Sequence, residues 1–177
     1  MLDIAVSYNR YKFLGNEFLT WLWFMIDTHQ DDQVFKDGTG TPYSFVIGNR
    51  IVCENIVEDN TLESVTIKGD NAGLEEGLMA LKKGSIVTEL SLSLHYLEQI
   101  WDFNLKGENF HITGLKHPET EKIEKKEDLE GALLEKVYLF GKAVELVDIA
   151  YFMFLKLRIS DSWNTLIVND IKRWINS

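Results

Sequence analysis

The chain has 177 residues, an apolar fraction of 45% and a formal charge of −10 from 18 basic and 28 acidic side chains. That length suits one compact domain, and five Trp, six Tyr and ten Phe supply a real core and exclude a disordered chain. Taken alone, the acidic balance disfavours a generic nucleic-acid binder, because phosphate contacts need clustered Lys and Arg; it does not exclude a local basic patch.

Met1 to Tyr8 reads equally as a short strand or a loose lead-in. From Gly15 the pattern turns helical, with Asn16 as N-cap and Glu17 favourable at the positive helix end. Phe18, Trp21, Leu22 and Met25 share one stripe, while Leu19, Trp23 and Ile26 continue round the cylinder, so the helix is predicted to be buried. Trp21-Leu22-Trp23-Phe24 is therefore core rather than a base-stacking cluster. Asp27 to Gly40 is polar and reads as a loop. Tyr43–Ile47 and Arg50–Ile56 are β-rich runs around Gly48-Asn49, a dipeptide suited to positive φ, which predicts a hairpin. Cys53, the only cysteine, follows Val52 in an apolar run and reads as a buried inert thiol; no disulfide framework or thiolate cluster is expected. Val65 and Ile67 mark a third strand. Leu74, Leu78 and Leu81 recur at helical spacing from about Ala72 to Lys83, and Gly84 ends that helix.

The stretch from Ser85 to Leu115 organises the rest. Ile86, Leu90, Leu92 and Leu94 fall on one parity, with Ser85, Glu89, Ser91, Ser93 and His95 on the other, the pattern of a half-buried strand. Trp101, Phe103 and Leu105 alternate with Asp102, Asn104 and Lys106; after Gly107-Glu108-Asn109 the alternation resumes at Phe110 and Ile112. This predicts an antiparallel meander with one apolar face that helices must cover. Glu119–Glu130 reads as a solvated linker into a long apolar helix from Leu133 to Leu157, which packs along the sheet or against a partner chain. A last short helix, capped by Asp161 or Ser162, carries Trp163, Leu166, Ile167, Ile171 and Trp174. The predicted class is α+β, with a sheet domain over 1–117 and a helical segment, 118–177, packed on it as one unit.

No arrangement carries catalytic chemistry. His29, His95, His111 and His117 lack a metal-ligand spacing; His95 and His111 fall where they can be cross-strand neighbours, and a structural or solvent-facing role is expected for all four. Adjacent Glu75-Glu76 and Asp31-Asp32 do not converge on one point. Gly69-Asp70-Asn71-Ala72-Gly73 before a helix lacks the glycine spacings of a phosphate loop. No catalytic residue, metal or cofactor is expected, and a nuclease would need carboxylates converging on Mg²⁺, for which no spacing speaks. No signal peptide or membrane span is visible, which makes the cytoplasm the expected compartment, with no membrane partner. Lys68, Lys82, Lys83, Lys106 and Lys116 fall at strand ends or on the solvent side of the short helix, where they can meet phosphates as point charges; the alternative is ordinary solubilising surface.

Three segments resemble the recombination-associated protein RdgC family: Phe13-Leu14-Gly15-Asn16-Glu17-Phe18-Leu19-Thr20-Trp21-Leu22-Trp23-Phe24; Ile67-Lys68-Gly69-Asp70 with the Glu75-Glu76 helix and Gly84-Ser85-Ile86-Val87-Thr88-Glu89-Leu90; and Phe110-His111-Ile112-Thr113-Gly114-Leu115-Lys116 with the long helix. The likeness spans most of residues 13–177, and its motifs are structural rather than catalytic. It implies a non-enzymatic, sequence-independent binder of double-stranded DNA that forms a ring-shaped dimer with a basic hole and restrains recombinase loading. Lys68 matches a basic position of that family. Ser85 and Glu89 stand where a relative carries Lys, and this chain is much shorter than that relative. The other expectation, from a different class, is an acidic oligomeric interaction module that keeps the fold without DNA contact.

Overall fold

The computed structural model describes the backbone of residues 4–29, 35–56, 62–69, 72–119 and 129–177, and within these the side chains other than those of 4–13, 56, 62 and 72–74. Its elements are α1 (Ile4–Thr28), β1 (Phe35–Lys36), β2 (Pro42–Ile56), β3 (Leu62–Lys68), α2 (Ala72–Lys82), β4 (Ile86–Tyr96), β5 (Gln99–Lys106), β6 (Ile112–Lys116), α3 (Leu129–Arg158) and α4 (Val168–Ile175), with one turn of π-helix, Trp163–Ile167, leading into α4. This is an α+β fold. The strands form one antiparallel sheet in the order β1-β2-β4-β5-β6. Because β2 is long, β1 and β3 share its other edge, β1 at Pro42–Tyr43 and β3 at Arg50–Ile56.

Helices cover one face of the sheet. Tyr43, Phe45, Ile51, Cys53, Ile67, Val87, Leu90, Leu92, Leu94, Trp101, Phe103 and Leu105 point into that layer and are buried. They meet Phe18, Leu19, Trp21, Leu22 and Trp23 of α1 and Leu139, Ala143, Leu146, Val147, Ala150 and Phe154 of α3 in one core. Small residues at 143 and 150 let α3 lie close to its neighbours. Two buried donors fix it there: Tyr43 Oη donates to the Leu146 carbonyl (2.9 Å) and Trp101 Nε1 to that of Leu139 (3.1 Å). Trp174 of α4 packs edge-on against Trp23 and donates to Asp27 Oδ2 at 2.7 Å.

Several expectations are corrected. Gly15 and Asn16 lie inside α1, which starts by Ile4, so Asn16 is not an N-cap and the start of the chain is neither strand nor lead-in from that residue on. Gly15 serves a close approach instead: an added Cβ would stand 2.7 Å from the Gly107 carbonyl carbon and closer still to its oxygen. Gly48-Asn49 makes no hairpin. Tyr43–Ile47 and Ile51–Glu54 are parts of one strand, both paired with β4, and Gly48, Asn49 and Arg50 bulge opposite Ser91. The apolar parity of β4 also breaks. Thr88 is an extra residue between the pairs Val52↔Glu89 and Cys53↔Val87, so Val87 enters the core and Ile86 is left 49% exposed. The polar run from Asp27 is not all loop: α1 continues to Thr28, and Phe35 in β1 joins the aromatic core against Trp21, Tyr43 and Phe45. Asp31-Asp32 lies outside the described residues, as does the charged linker between residues 120 and 128. Ser162 stands before the π turn with helical backbone angles and makes no side-chain cap bond.

The remaining elements follow their patterns. α2 ends where Gly84 takes φ +90° and the Ser85 amide returns to the Ala80 carbonyl at 3.1 Å. Cys53 is buried, and burial pushes its thiol up to about 11. No helix among the described residues is long and apolar enough to cross a membrane.

Candidate nucleic-acid interface

The face of the sheet turned away from the helices carries charged and polar side chains alongside exposed Val46, Ile86 and Ile100, and strand register places them row by row. Residues directly opposite in an antiparallel pair share a face. Lys68 on β3 is opposite Arg50 on β2, and Glu89 on β4 is opposite Lys106 on β5. Arg50 Nη1 reaches Glu89 Oε1 at 3.3 Å, which joins the two pairs into one row, Lys68-Arg50-Glu89-Lys106. The row follows from plain alternation, because Glu89 takes the parity opposite to Leu90, Leu92 and Leu94 and the Thr88 bulge comes only after it. Two rows along, Lys116 on β6 is opposite Asp102 on β5, and Ser93 donates to Asp102 Oδ1. Gly114, with φ +64°, supplies the extra residue in β6 between its pairs with Asn104 and Asp102.

Three of the five candidate lysines, Lys68, Lys106 and Lys116, therefore share the open face and are exposed. Lys82 and Lys83 do not join them. They project at the end of α2, where Lys83 lines a groove with Glu63, Glu75 and Glu76. Arg50 is the cation that sequence reading missed; its place in a bulged stretch hid which face it takes. The carboxylates are part of the arrangement. Glu89 is only 8% exposed and compensates Arg50, and exposed Asp102 stands opposite Lys116 in the register. The face offers a line of flexible cations spaced by acids, able to meet phosphate oxygens.

His95 lies opposite Ile100, and β5 separates it from β6, so it is not a neighbour of His111. His29, His111 and His117 make local contacts at element ends: His29 Nδ1 with Thr28 Oγ1, the His111 amide with Asn109 Oδ1, and His117 Nδ1 with the Pro118 carbonyl. Among the described residues, no three His, Cys, Asp or Glu side chains gather to hold a metal ion.

A second polar cluster was not legible in the sequence. Asp37 follows β1 with its carboxylate buried. Its Oδ1 accepts from the Thr39 hydroxyl (2.7 Å) and the Thr39 and Thr41 amides (both 2.9 Å). Oδ2 accepts from Tyr96 Oη at 2.8 Å and lies 3.6 Å from Lys142 Nζ of α3. The Thr39 hydroxyl, then Tyr96 and the two amides, hold Asp37 well below the usual carboxylate range against the opposing effect of burial. The hydrogen bond to Asp37 raises Tyr96. Burial works against the Lys142 charge, but Glu145, Tyr96 and Asp37 outweigh it and raise that amine; the ammonium also stands 4.8 Å above the Tyr96 ring. Every member is pinned in its ordinary charge state, so the cluster ties β1, β4 and α3 together and has no group poised to exchange a proton at neutral pH.

These observations define a class: an antiparallel sheet with one helix-covered apolar face and one open face of mixed charge. Comparison with known proteins takes it no further. No protein-family model, curated protein or solved structure matches the chain.

Proposed function

We propose that the open sheet face binds the backbone of double-stranded DNA without sequence preference and without catalysis, in the manner of an RdgC-type protein that modulates recombination in the nucleoid. The observation that carries this reading is the gathering of Lys68, Arg50, Lys106 and Lys116 on one face by strand register. Point charges on flexible stems meet phosphates and read no base edges, so the binding is salt-sensitive and modest, because Glu89 and Asp102 cancel part of the field. The working form is a homo-oligomer. Supporting that, the first turns of α3 expose Leu133, Leu134, Val137, Tyr138 and Phe140, an apolar surface a lone protomer leaves in water.

The experiment is fluorescence anisotropy with a labelled random-sequence duplex across a salt series. Wild-type affinity falls as salt rises, and Lys68→Ala/Lys106→Ala/Lys116→Ala flattens the log–log slope by about 0.9 for each phosphate no longer neutralised. Lys82→Ala/Lys83→Ala leaves it unchanged. Binding that ignores salt, or that disappears with the α2 pair instead of the sheet triple, sinks the assignment. A second reading, an acidic oligomeric interaction module, is favoured by the interleaved Glu89 and Asp102 and the same exposed α3 surface; an oligomer that binds no duplex at low salt is its signature.

A further inference from the structure

We infer that α3 pairs antiparallel with α3 of a second copy of this chain, the first turns of each seated in a groove of the other. The inference deepens the homo-oligomer reading above and rests on it; it does not depend on DNA contact. An apolar seam with a seven-residue repeat runs along α3. Its carboxy-terminal part, Val147, Tyr151 and Phe154, joins the core of its own chain, with both rings against Phe18. Leu133, Val137 and Phe140 continue the seam in steps of four and three residues and are each more than half exposed. A strict repeat of that period is the pattern of a helix that faces another helix. Residues 129–138 are exposed apart from half-buried Ala132, so the first turns of α3 stand clear of the sheet layer.

Further along the same seam, Phe140, Val144 and Val147 with Phe110 and Ile112 line a groove of about 380 Å³, to which Asn109, His111 and Asp148 add polar groups. A two-fold pair needs a surface that is complementary to itself. Projecting seam and groove lie on one helix, so a second α3 turned end for end lays the first turns of each copy over the groove of the other. A parallel pair would leave both grooves empty. The area also suits a second copy. Leu129, Leu133, Leu134, Val137 and Phe140 leave on the order of 600 Å² of apolar surface in water, which with the groove walls approaches the ~800 Å² that each partner of a standard interface buries.

The test uses the full chain, two single variants, Leu133→Cys and Val144→Cys, and a short bis-maleimide cross-linker. Position 133 is exposed and 144 half-buried, so both variants should fold as wild type does, which circular dichroism checks; Cys53 is buried and takes no part. Light scattering is expected to give a mass that rises with concentration toward twice the 20.5 kDa of the chain. Mixed together, the two variants are expected to cross-link, because 133 of one copy lies opposite 144 of the other. Either variant alone is not, because like positions in the antiparallel pair stand ~16 Å apart along the axis. Leu133→Cys that cross-links to itself marks a parallel pair, and a dimer whose mixed variants give no cross-link pairs through another face. Either result overturns this pairing and leaves the homo-oligomer reading standing, whereas a monomer at every concentration overturns both. Duplex binding in the salt series bears on the open sheet face alone.

Discussion

Gly15→Ala is a substitution whose sign depends on one contact. In an exposed helix interior, exchanging glycine for alanine stabilises by about 1 kcal/mol, because alanine loses less backbone freedom. Gly15 lies deep inside α1, but its missing side chain is where the β5–β6 turn comes in. A Cβ there would stand 2.7 Å from the Gly107 carbonyl carbon and nearer to its oxygen. The obstacle is backbone, held on its far side by the Gly107 amide bond to the Thr88 carbonyl at 2.9 Å, so it cannot swing aside as a side chain would. Overpacking of that kind costs about 1–3 kcal/mol or more, and the rigid partner puts it at the upper end. The net expectation is a loss of about 2 kcal/mol, or a fall in melting temperature of about 4–8 °C for a chain of this size. Gly141→Ala on α3 is the control, since a Cβ there meets nothing within 4 Å; it should gain up to about 1 kcal/mol. Urea unfolding of the three proteins, with unchanged m-values, measures both. If Gly15→Ala stabilises as Gly141→Ala does, α1 does not lie against the turn, and the packing of the amino-terminal helix on the meander is wrong.

Leu146→Ala, at a fully buried position of α3, should cost about 2–5 kcal/mol in the same assay, whereas truncating exposed Leu134 should cost little. Asp37→Asn should lower the urea midpoint at pH 7. Because the folded carboxyl is held below its unfolded value, its stabilisation is present above the ordinary carboxylate range and fades as pH falls below it, so wild type and variant should converge in acid; a constant gap between them down to low pH would refute that. Glu89→Gln frees Arg50 from its ion pair and removes a negative charge from the row, so duplex affinity at low salt should rise several-fold if the open face is the DNA surface. Leu133→Glu/Val137→Glu should leave the fold intact, since both side chains are exposed, and should turn an oligomer into a monomer by light scattering.

The parts of the fold legible in the sequence are those set by local periodicity. The alternation of Leu90, Leu92 and Leu94 with serines, and of Trp101, Phe103 and Leu105 with polar residues, is carried by side chains that each meet the layer they were expected to meet. What misled were small and amide residues, whose local chemistry suits several structures. Glycine followed by asparagine favours a hairpin turn and equally a bulge. The choice at Gly48-Asn49 falls to β4, which is long enough to pair both flanking segments and so keeps them in one strand. Gly15-Asn16 resembles a helix start for the same reason, whereas Gly15 is selected by a contact with residue 107, which no local pattern reveals.

The candidate surface was legible in its lysines and illegible in its arrangement. Lys68, Lys106 and Lys116 could be placed on strands, but whether Lys116 shares a face with the other two depends on the extra residue at Gly114, which reverses parity within β6. Glu89, on the parity opposite to Leu90, falls in the row of cations and interrupts it with an acid. Net charge hides this completely: a chain at −10 can still gather four cations on one sheet face, provided its acids are distributed elsewhere or paired among them. Here Glu89 is ion-paired with Arg50, and Asp102 stands opposite Lys116 in the register. The affinity of the face is therefore decided by the competition between phosphate and carboxylate for the same side chains. That competition weakens with every acid removed, and removal of Glu89 alone tests it at the centre of the row.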